Sequence, residues 1–314
     1  MTPEQAQHSR LVEQLKRTFG PDIMPLFNDH SVVEIMANSD GRLLVERHGR
    51  GIEEIGMIQP AAARNVLNLV AASLETVVSP DRPIVEGALP AEFDRARFEG
   101  LIPPIVAEPS FAIRLRARLV HTLDDYVERE IMTAEQVAVL RDAVRKRQNI
   151  LVSGGTGSGK TTLLNAVLGE IADISGLDQR IIMIEDTPEL RCDARNVERL
   201  LTCDAADMTR LLKATMRLRP DRIVVGEVRD GAALALLKAW NTGHPGGAAT
   251  LHANSPSAAL LRLDQLCQEA GVPSQKELIR EAVDVVIQIS RAPDAPAGRR
   301  VTDVLHVKAE SNAI

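Results

Sequence analysis

Aromatic side chains are nearly absent: 2% of 314 residues, as five Phe with Tyr126 and Trp240. Proteins that hold single-stranded nucleic acid stack bases on aromatic faces, so that class is disfavoured. Excess positive charge is missing too. Asp and Glu number 43 against 37 Lys and Arg, for a net charge of −6. Neutralising a phosphate backbone needs a basic surface, so no direct sequence-specific nucleic-acid binding is expected. The three cysteines, Cys192, Cys203 and Cys267, form no CxxC pair and are odd in number. That excludes a disulfide framework and a typical structural zinc site, and it fits a reducing compartment. No apolar run approaches the roughly 18 residues of a membrane span. The start, MTPEQAQHSRLVEQLKRTFG, is polar and lacks the apolar centre of a signal peptide. The expectation is a cytoplasmic protein, with peripheral attachment to an inner-membrane complex left open because composition does not report on docking.

Hydrophobic residues make up 45% and charged residues 25% of the chain, the ordinary mixture of a globular protein. At about 150 residues per domain, the length suggests two domains. Residues 4–19 carry Leu11, Val12, Leu15 and Phe19 on one helical stripe, and short strand-like runs follow at Val32–Ala37, Leu43–Arg47 and Ile52–Met57. Helical spacing returns over 61–78, followed by a Pro- and Gly-punctuated β stretch from Pro83 to Phe111. Residues 118–133 are charged and weakly patterned and read as a linker. After Thr133 the rhythm changes. A helix over 134–147 leads to strand Asn149–Ser153, and further apolar β runs at Arg180–Ile184, Arg222–Val225, Ala248–Leu251, Val285–Ile289 and Val301–Val307 alternate with helical segments. Strands alternating with helices imply a mostly parallel sheet covered on both faces.

The strongest chemical signal is GGTGSGKT, which satisfies G-x-x-x-x-G-K-[ST] in full. Average residue usage gives a chance match on the order of one in a hundred for a chain of this length. The strand NILVS precedes it and the helix TTLLNAVLGEI follows it, the context the motif needs. Gly154, Gly155, Thr156, Gly157, Ser158 and Gly159 offer backbone N–H groups to phosphates, and the helix N-terminus at Lys160, Thr161 and Thr162 adds a favourable dipole. Lys160 is expected to reach the β- and γ-phosphates, and the Thr161 hydroxyl to hold Mg²⁺. A nucleoside triphosphate and Mg²⁺ are therefore the expected ligands.

Two further strands end in acids. RIIMIEDTPEL places Glu185-Asp186 after an apolar run, and RIVVGEVRD places Glu227 after another, with Arg229 next. Parallel sheets bind ligands beyond the carboxyl ends of their strands. One carboxylate there can join the Mg²⁺ shell and another can orient or deprotonate the attacking water; helix capping by solvated acids is the plainer alternative. In TGHPGGAATLHANS a small-residue strand ends at His252, which is placed to hydrogen-bond a γ-phosphate, while His244 precedes a Pro-Gly-Gly turn. In FAIRLRAR, Arg114, Arg116 and Arg118 alternate with apolar residues, so period two puts the arginines on one strand face, about 6–7 Å apart. That face suits an anion approached from another domain or a neighbouring subunit; a solvated edge strand is the alternative. Arg217, Arg219, Arg222 and Arg229 flank the second acidic strand and are further candidates.

The order GGTGSGKT, IEDTPEL, LRPDRIVVGEVR, GHPGGAATLHANS resembles the Walker A, Asp box, Walker B and His box of the secretion and traffic ATPases. The resemblance spans about residues 80–290 and is most specific from 149 to 255. These are hexameric ring ATPases of type IV secretion, conjugation, type II secretion and pilus systems. Lack of a long N-terminal extension and of a tetracysteine zinc motif makes the chain look closest to the short conjugative-transfer group. PIVEGALPAEFDRARFEGLIPP is similar to the family's N-terminal pattern, but Glu92-Phe93-Asp94-Arg95 stand where the family has Asp-Gly. The resemblance implies an α/β, RecA-like P-loop NTPase domain over 133–314 with a mostly parallel sheet, preceded by a smaller α+β domain over 1–120 and a linker over 121–132. It implies Glu185 as the favoured catalytic base, Glu227 near Mg²⁺ and water, His252 as the His-box histidine, and Arg114 and Arg116 as basic positions approaching the γ-phosphate. The implied assembly is a homohexamer docked on inner-membrane conjugation or secretion components. A pilus-retraction or type II secretion-like motor, a RecA-like DNA translocase and a nucleotide-binding scaffold are the rival readings.

Overall fold

A computed structural model describes residues 3–47, 50–115 and 121–308. The chain forms two compact units, Met1–Leu119 and Val120–Ile314.

In the first unit, helix α1 (Pro3–Ile23) turns at Gly20, and α2 (Pro60–Ser73) runs beside it. Strands β1 (Val32–Ala37), β2 (Arg42–Arg47), β3 (Gly51–Met57), β4 (Ile84–Ala88), β5 (Arg97–Leu101) and β6 (Ser110–Arg114) make one antiparallel sheet in the order β3-β2-β1-β6-β5-β4. Alternation along the strands sends Ile35, Val45, Phe98, Phe111 and Ile113 into one core with Leu15 and Phe19 of α1 and Val66, Leu67 and Val70 of α2. The expected helix over 61–78 stops earlier, at Ser73. Glu75 follows in the left-handed region (φ 55°), which the β-branched run Thr76-Val77-Val78 cannot carry on as helix. Arg114 ends β6 exposed, paired across the sheet with Glu34 and Arg97. Arg116 and Arg118 lie outside the described residues.

In the second unit, residues 121–132, expected as a linker, are packed structure. Helix α3 (Leu123–Glu128) opens with a reciprocal capping box between Thr122 and Asp125, and Leu123, Tyr126, Ile131 and Met132 are buried in the unit's core. Its acids satisfy the helix N-terminus, which is why the stretch reads as charged and unpatterned. Helix α4 (Ala134–Arg145) starts on a second such box, Thr133 with Gln136.

Then come β7 (Ile150–Gly154), α5 (Lys160–Ile174), β8 (Ile181–Glu185), β9 (Val197–Leu201), α6 (Met208–Thr215), β10 (Arg222–Val225), α7 (Ala232–Asn241), β11 (Ala248–His252), α8 (Pro256–Glu269), α9 (Lys276–Ala282), β12 (Val285–Arg291) and β13 (Arg299–His306). Among the described residues they form a seven-stranded sheet, β13-β12-β7-β11-β10-β8-β9, parallel except for the β12–β13 hairpin. Successive residues of a strand serve opposite faces. Ile150, Val152, Ile181 and Met183 meet α4 and α5 on one side. Leu151, Ile182, Ile184 and Ile223 meet α6, α7 and α8 on the other. This two-sided burial makes the strands continuous apolar runs. β9 was invisible in sequence because VERLL is a half-exposed edge strand with charged residues at its centre.

Arg222 is not near the strand ends that carry the acids. It opens β10, is 1% exposed, and donates to the carbonyls of Gly246 and Val144 and to the Gln179 side chain. Burial pulls its guanidinium down to about 10, with Arg147 reinforcing the shift. Its hydrogen bonds tie together the segments at the ends of the strands opposite the acids. Cys192 and Cys267 are buried and Cys203 is exposed, all as free thiols. Among the described residues no helix is long and apolar enough to cross a membrane.

Candidate nucleotide site

The parallel register brings the sequence motifs to one edge. Gly154, the last residue of β7, pairs with His252, the last of β11. β10 pairs with both β11 and β8, so Glu227 follows the strand that lies between the ends bearing His252 and Glu185. The strand ends of β7, β11, β10 and β8 therefore present the phosphate loop, His252, Glu227 and Glu185 side by side.

The loop is a tight turn. Ser158 donates both its N–H and its hydroxyl to the Gly155 carbonyl. Gly159 caps α5 at φ 101°, a conformation that a side chain strongly disfavours. At Gly154 a Cβ would stand 2.3 Å from the Ile289 carbonyl, so the first motif glycine is fixed by β12 passing against it. Lys160 is 7% exposed and donates to the Gly155 carbonyl at 3.0 Å. Thr161 and Thr162 follow in the first turn of α5, whose N-terminus carries the helix dipole's positive end.

From Lys160 a polar chain crosses the strand ends. Its Nζ lies 3.3 Å from the His252 ring nitrogens, His252 Nε2 lies 2.9 Å from Glu227 Oε1, and Glu227 Oε2 accepts from Arg229 at 2.8 Å. Lys160 Nζ is equally far from both ring nitrogens, while Glu227 faces Nε2 alone. Burial and the neighbouring Lys160 hold the His252 pKa below its ordinary 6.5, against the pull of Glu227. Arg229 also reaches Asp186 at 3.8 Å, and Glu227 pushes its guanidinium further upward.

Glu185 is held differently. It is 4% exposed, and its Oε1 accepts the N–H groups of Glu189 and Leu190 at 2.8 and 2.7 Å. The same turn is gripped from α5 by buried Asn165, whose Nδ2 donates to the Glu189 carbonyl and whose Oδ1 accepts from the Arg191 N–H. Gly226 lets the acid sit close, since a Cβ there would stand 3.2 Å from Glu185 Cγ. Thr250 of β11 donates to the Gly226 carbonyl at 2.7 Å and so fixes the backbone just before Glu227. Asn165 and Thr250 were missed in the sequence. A lone amide in the otherwise apolar helix TTLLNAVLGEI was the available signal for the first; Thr250 offered none. His244 turns away to the Ala239 carbonyl.

A glycine-rich turn between a buried strand and a helix, with acids at the neighbouring strand ends of a largely parallel sheet, defines an α/β P-loop fold of the RecA-like kind. The chain belongs to the Type II/IV secretion system protein family, which residues 23–311 match. It is 50% identical over 305 residues to a conjugal transfer protein TrbB of Rhizobium radiobacter, covering 97% of this chain and 93% of that one. It is 32% identical to the type IV secretion system protein PtlH of Bordetella pertussis, covering 89% of this chain and 91% of that one. In fold it resembles the pilus retraction motor PilT solved with bound ADP, at a TM-score of 0.68 and 20% identity over 92% of this chain and 86% of that one.

Proposed function

We propose that the chain binds ATP with Mg²⁺ at Gly154–Thr162 and hydrolyses it, as one protomer of a homohexameric ring that energises conjugative type IV secretion at the cytoplasmic face of the inner membrane. The observation that carries the hydrolytic reading is the chain Lys160–His252–Glu227–Arg229 beside a rigidly held Glu185, at the open strand ends next to the phosphate loop. The conjugative setting rests on the TrbB relatives.

In this reading Lys160 leaves the Gly155 carbonyl for the β- and γ-phosphates, and the loop amides cradle them. Glu185 orients and deprotonates the attacking water, and its two N–H bonds keep the carboxylate aimed without reorganisation. Glu227 holds the His252 ring through Nε2, and His252 reports the γ-phosphate from beside Lys160. Arg114 and Arg116 are proposed as cationic groups supplied by the N-terminal unit of the same or a neighbouring copy.

Among the described residues no three acids, histidines or cysteines form a metal cage. Mg²⁺ in nucleotide enzymes needs none; one or two protein oxygens, phosphates and waters suffice. The Thr161 hydroxyl and the Glu227 carboxylate are donors of that kind, so the residues fit. When bound, the ion neutralises charge on the β- and γ-oxygens.

The experiment is steady-state ATP hydrolysis by the assembled protein. Glu185→Gln is expected to retain ATP binding and lose about 10²–10⁴-fold in turnover, the range of a general base. Wild-type turnover in both Glu185→Gln and Glu227→Gln would remove the hydrolytic assignment.

A further inference from the structure

The hairpin of β12 and β13 ends beside the phosphate loop, and it ends in arginine on both strands. Arg291 closes β12 and Arg299 opens β13, and the two are directly paired in the register. Each guanidinium rests on a different glycine of the loop. A Cβ at Gly157 would stand 2.2 Å from Arg291 Nη2, and a Cβ at Gly159 would stand 2.5 Å from Arg299 Nη1. Gly157 fills one of the unrestricted positions of the G-x-x-x-x-G-K-[ST] motif, so the motif does not call for a glycine there. Its φ of 67° is what favours glycine there.

The arrangement is unfavourable as it stands. Like charges directly opposite each other on antiparallel strands repel, and both guanidiniums lie against the glycines that lead into the positive end of the α5 dipole. Among the described residues neither arginine forms an ion pair, although Arg300 next to them pairs with Asp294 at 3.7 Å. A carboxylate was thus within the hairpin's reach and serves the neighbour instead. Two unpaired, juxtaposed guanidiniums against a phosphate loop match a polyanion that two forked donors can grip together.

We infer that Arg291 and Arg299 are further nucleotide-binding residues, which clamp the diphosphate portion of the nucleotide from the side of the β12–β13 hairpin. This inference rests on the proposed nucleotide site and deepens it. The clamp adds charge-assisted contacts to the amide cradle and couples the hairpin to the occupied loop. Arginine at both positions gives bidentate geometry that lysine does not supply.

The test is calorimetric binding of ADP, inorganic pyrophosphate and adenosine to the full chain, with Lys160→Ala as reference. Wild-type protein that takes up ADP while Lys160→Ala does not establishes the site itself; failure of wild type to bind removes the underlying reading, separately from the clamp. With the site established, Arg291→Ala and Arg299→Ala are each expected to weaken ADP and pyrophosphate about tenfold or more, the strength of a hydrogen bond between charged groups. Arg291→Lys and Arg299→Lys should recover only part of that loss. Both side chains lie at the hairpin tip, so the variants should melt within a few degrees of wild type, and a variant that unfolds is replaced by its lysine counterpart. Unchanged pyrophosphate affinity in both alanine variants, or a loss seen equally with adenosine, would overturn the clamp.

Discussion

Asn165→Ala tests how the site is held together. Asn165 is 3% exposed and makes two bonds to one turn, to the Glu189 carbonyl at 3.2 Å and from the Arg191 N–H at 2.8 Å. Glu185 grips the same turn through the Glu189 and Leu190 N–H groups. Alanine deletes both amide contacts and leaves part-buried backbone groups without partners. Two such bonds at about 0.5–1.5 kcal/mol each, with about 1–3 kcal/mol for groups left unsatisfied, give a loss of about 2–6 kcal/mol. For a unit of this size that corresponds to a fall in melting temperature of roughly 4–24 °C. The turn that orients Glu185 loosens at the same time, and displacement of a catalytic group by an ångström costs on the order of 100-fold in rate. The assay pairs thermal unfolding with ATP turnover measured well below the transition. Asn165→Asp keeps the acceptor for Arg191, so it is expected to fall between wild type and alanine. A melting temperature unchanged to within a degree would refute the energetic argument, and full turnover in a destabilised variant would refute the link to Glu185.

Other perturbations follow the same geometry. Gly154→Ala would force a Cβ against the Ile289 carbonyl and Ser158 Oγ, neither a flexible chain end; it is expected to cost about 1–3 kcal/mol of stability and to abolish nucleotide uptake, and a normal binding isotherm would contradict this. His252, held below 6.5 by burial and by Lys160, should titrate below that value in proton NMR, and Lys160→Ala should raise its midpoint. Its folded pKa is depressed, so the contribution of neutral His252 to stability is complete above the unfolded value and is lost as pH falls through the folded one; a midpoint at or above 6.5 would reverse the assignment.

Much of this was legible in the chain. The phosphate loop and the three strand-end motifs declare themselves because a parallel strand buried on both faces must be apolar, so the first acid or histidine after it marks the strand's end. β7, β8, β10 and β11 were found in this way, and the register then brought Gly154 beside His252. Features with no pattern of their own stayed hidden. β9 is an edge strand with charges at its centre, and α3 hides behind acids that cap its own N-terminus. Asn165, Thr250, Arg291 and Arg299 act through contacts between segments distant in sequence, which no local spacing encodes. Arg222 carried the opposite lesson. It sits among the motif residues in sequence, yet as the first residue of β10 it lies at the opposite ends of the strands.

The measurement that bears most directly on the account is adenine-nucleotide binding to intact protein in the presence of Mg²⁺. The account predicts saturable heat of ATP or ADP uptake at one site per chain, lost in Lys160→Ala while the variant's melting curve stays cooperative. Equal uptake by wild type and Lys160→Ala, or none by folded wild type, would contradict it.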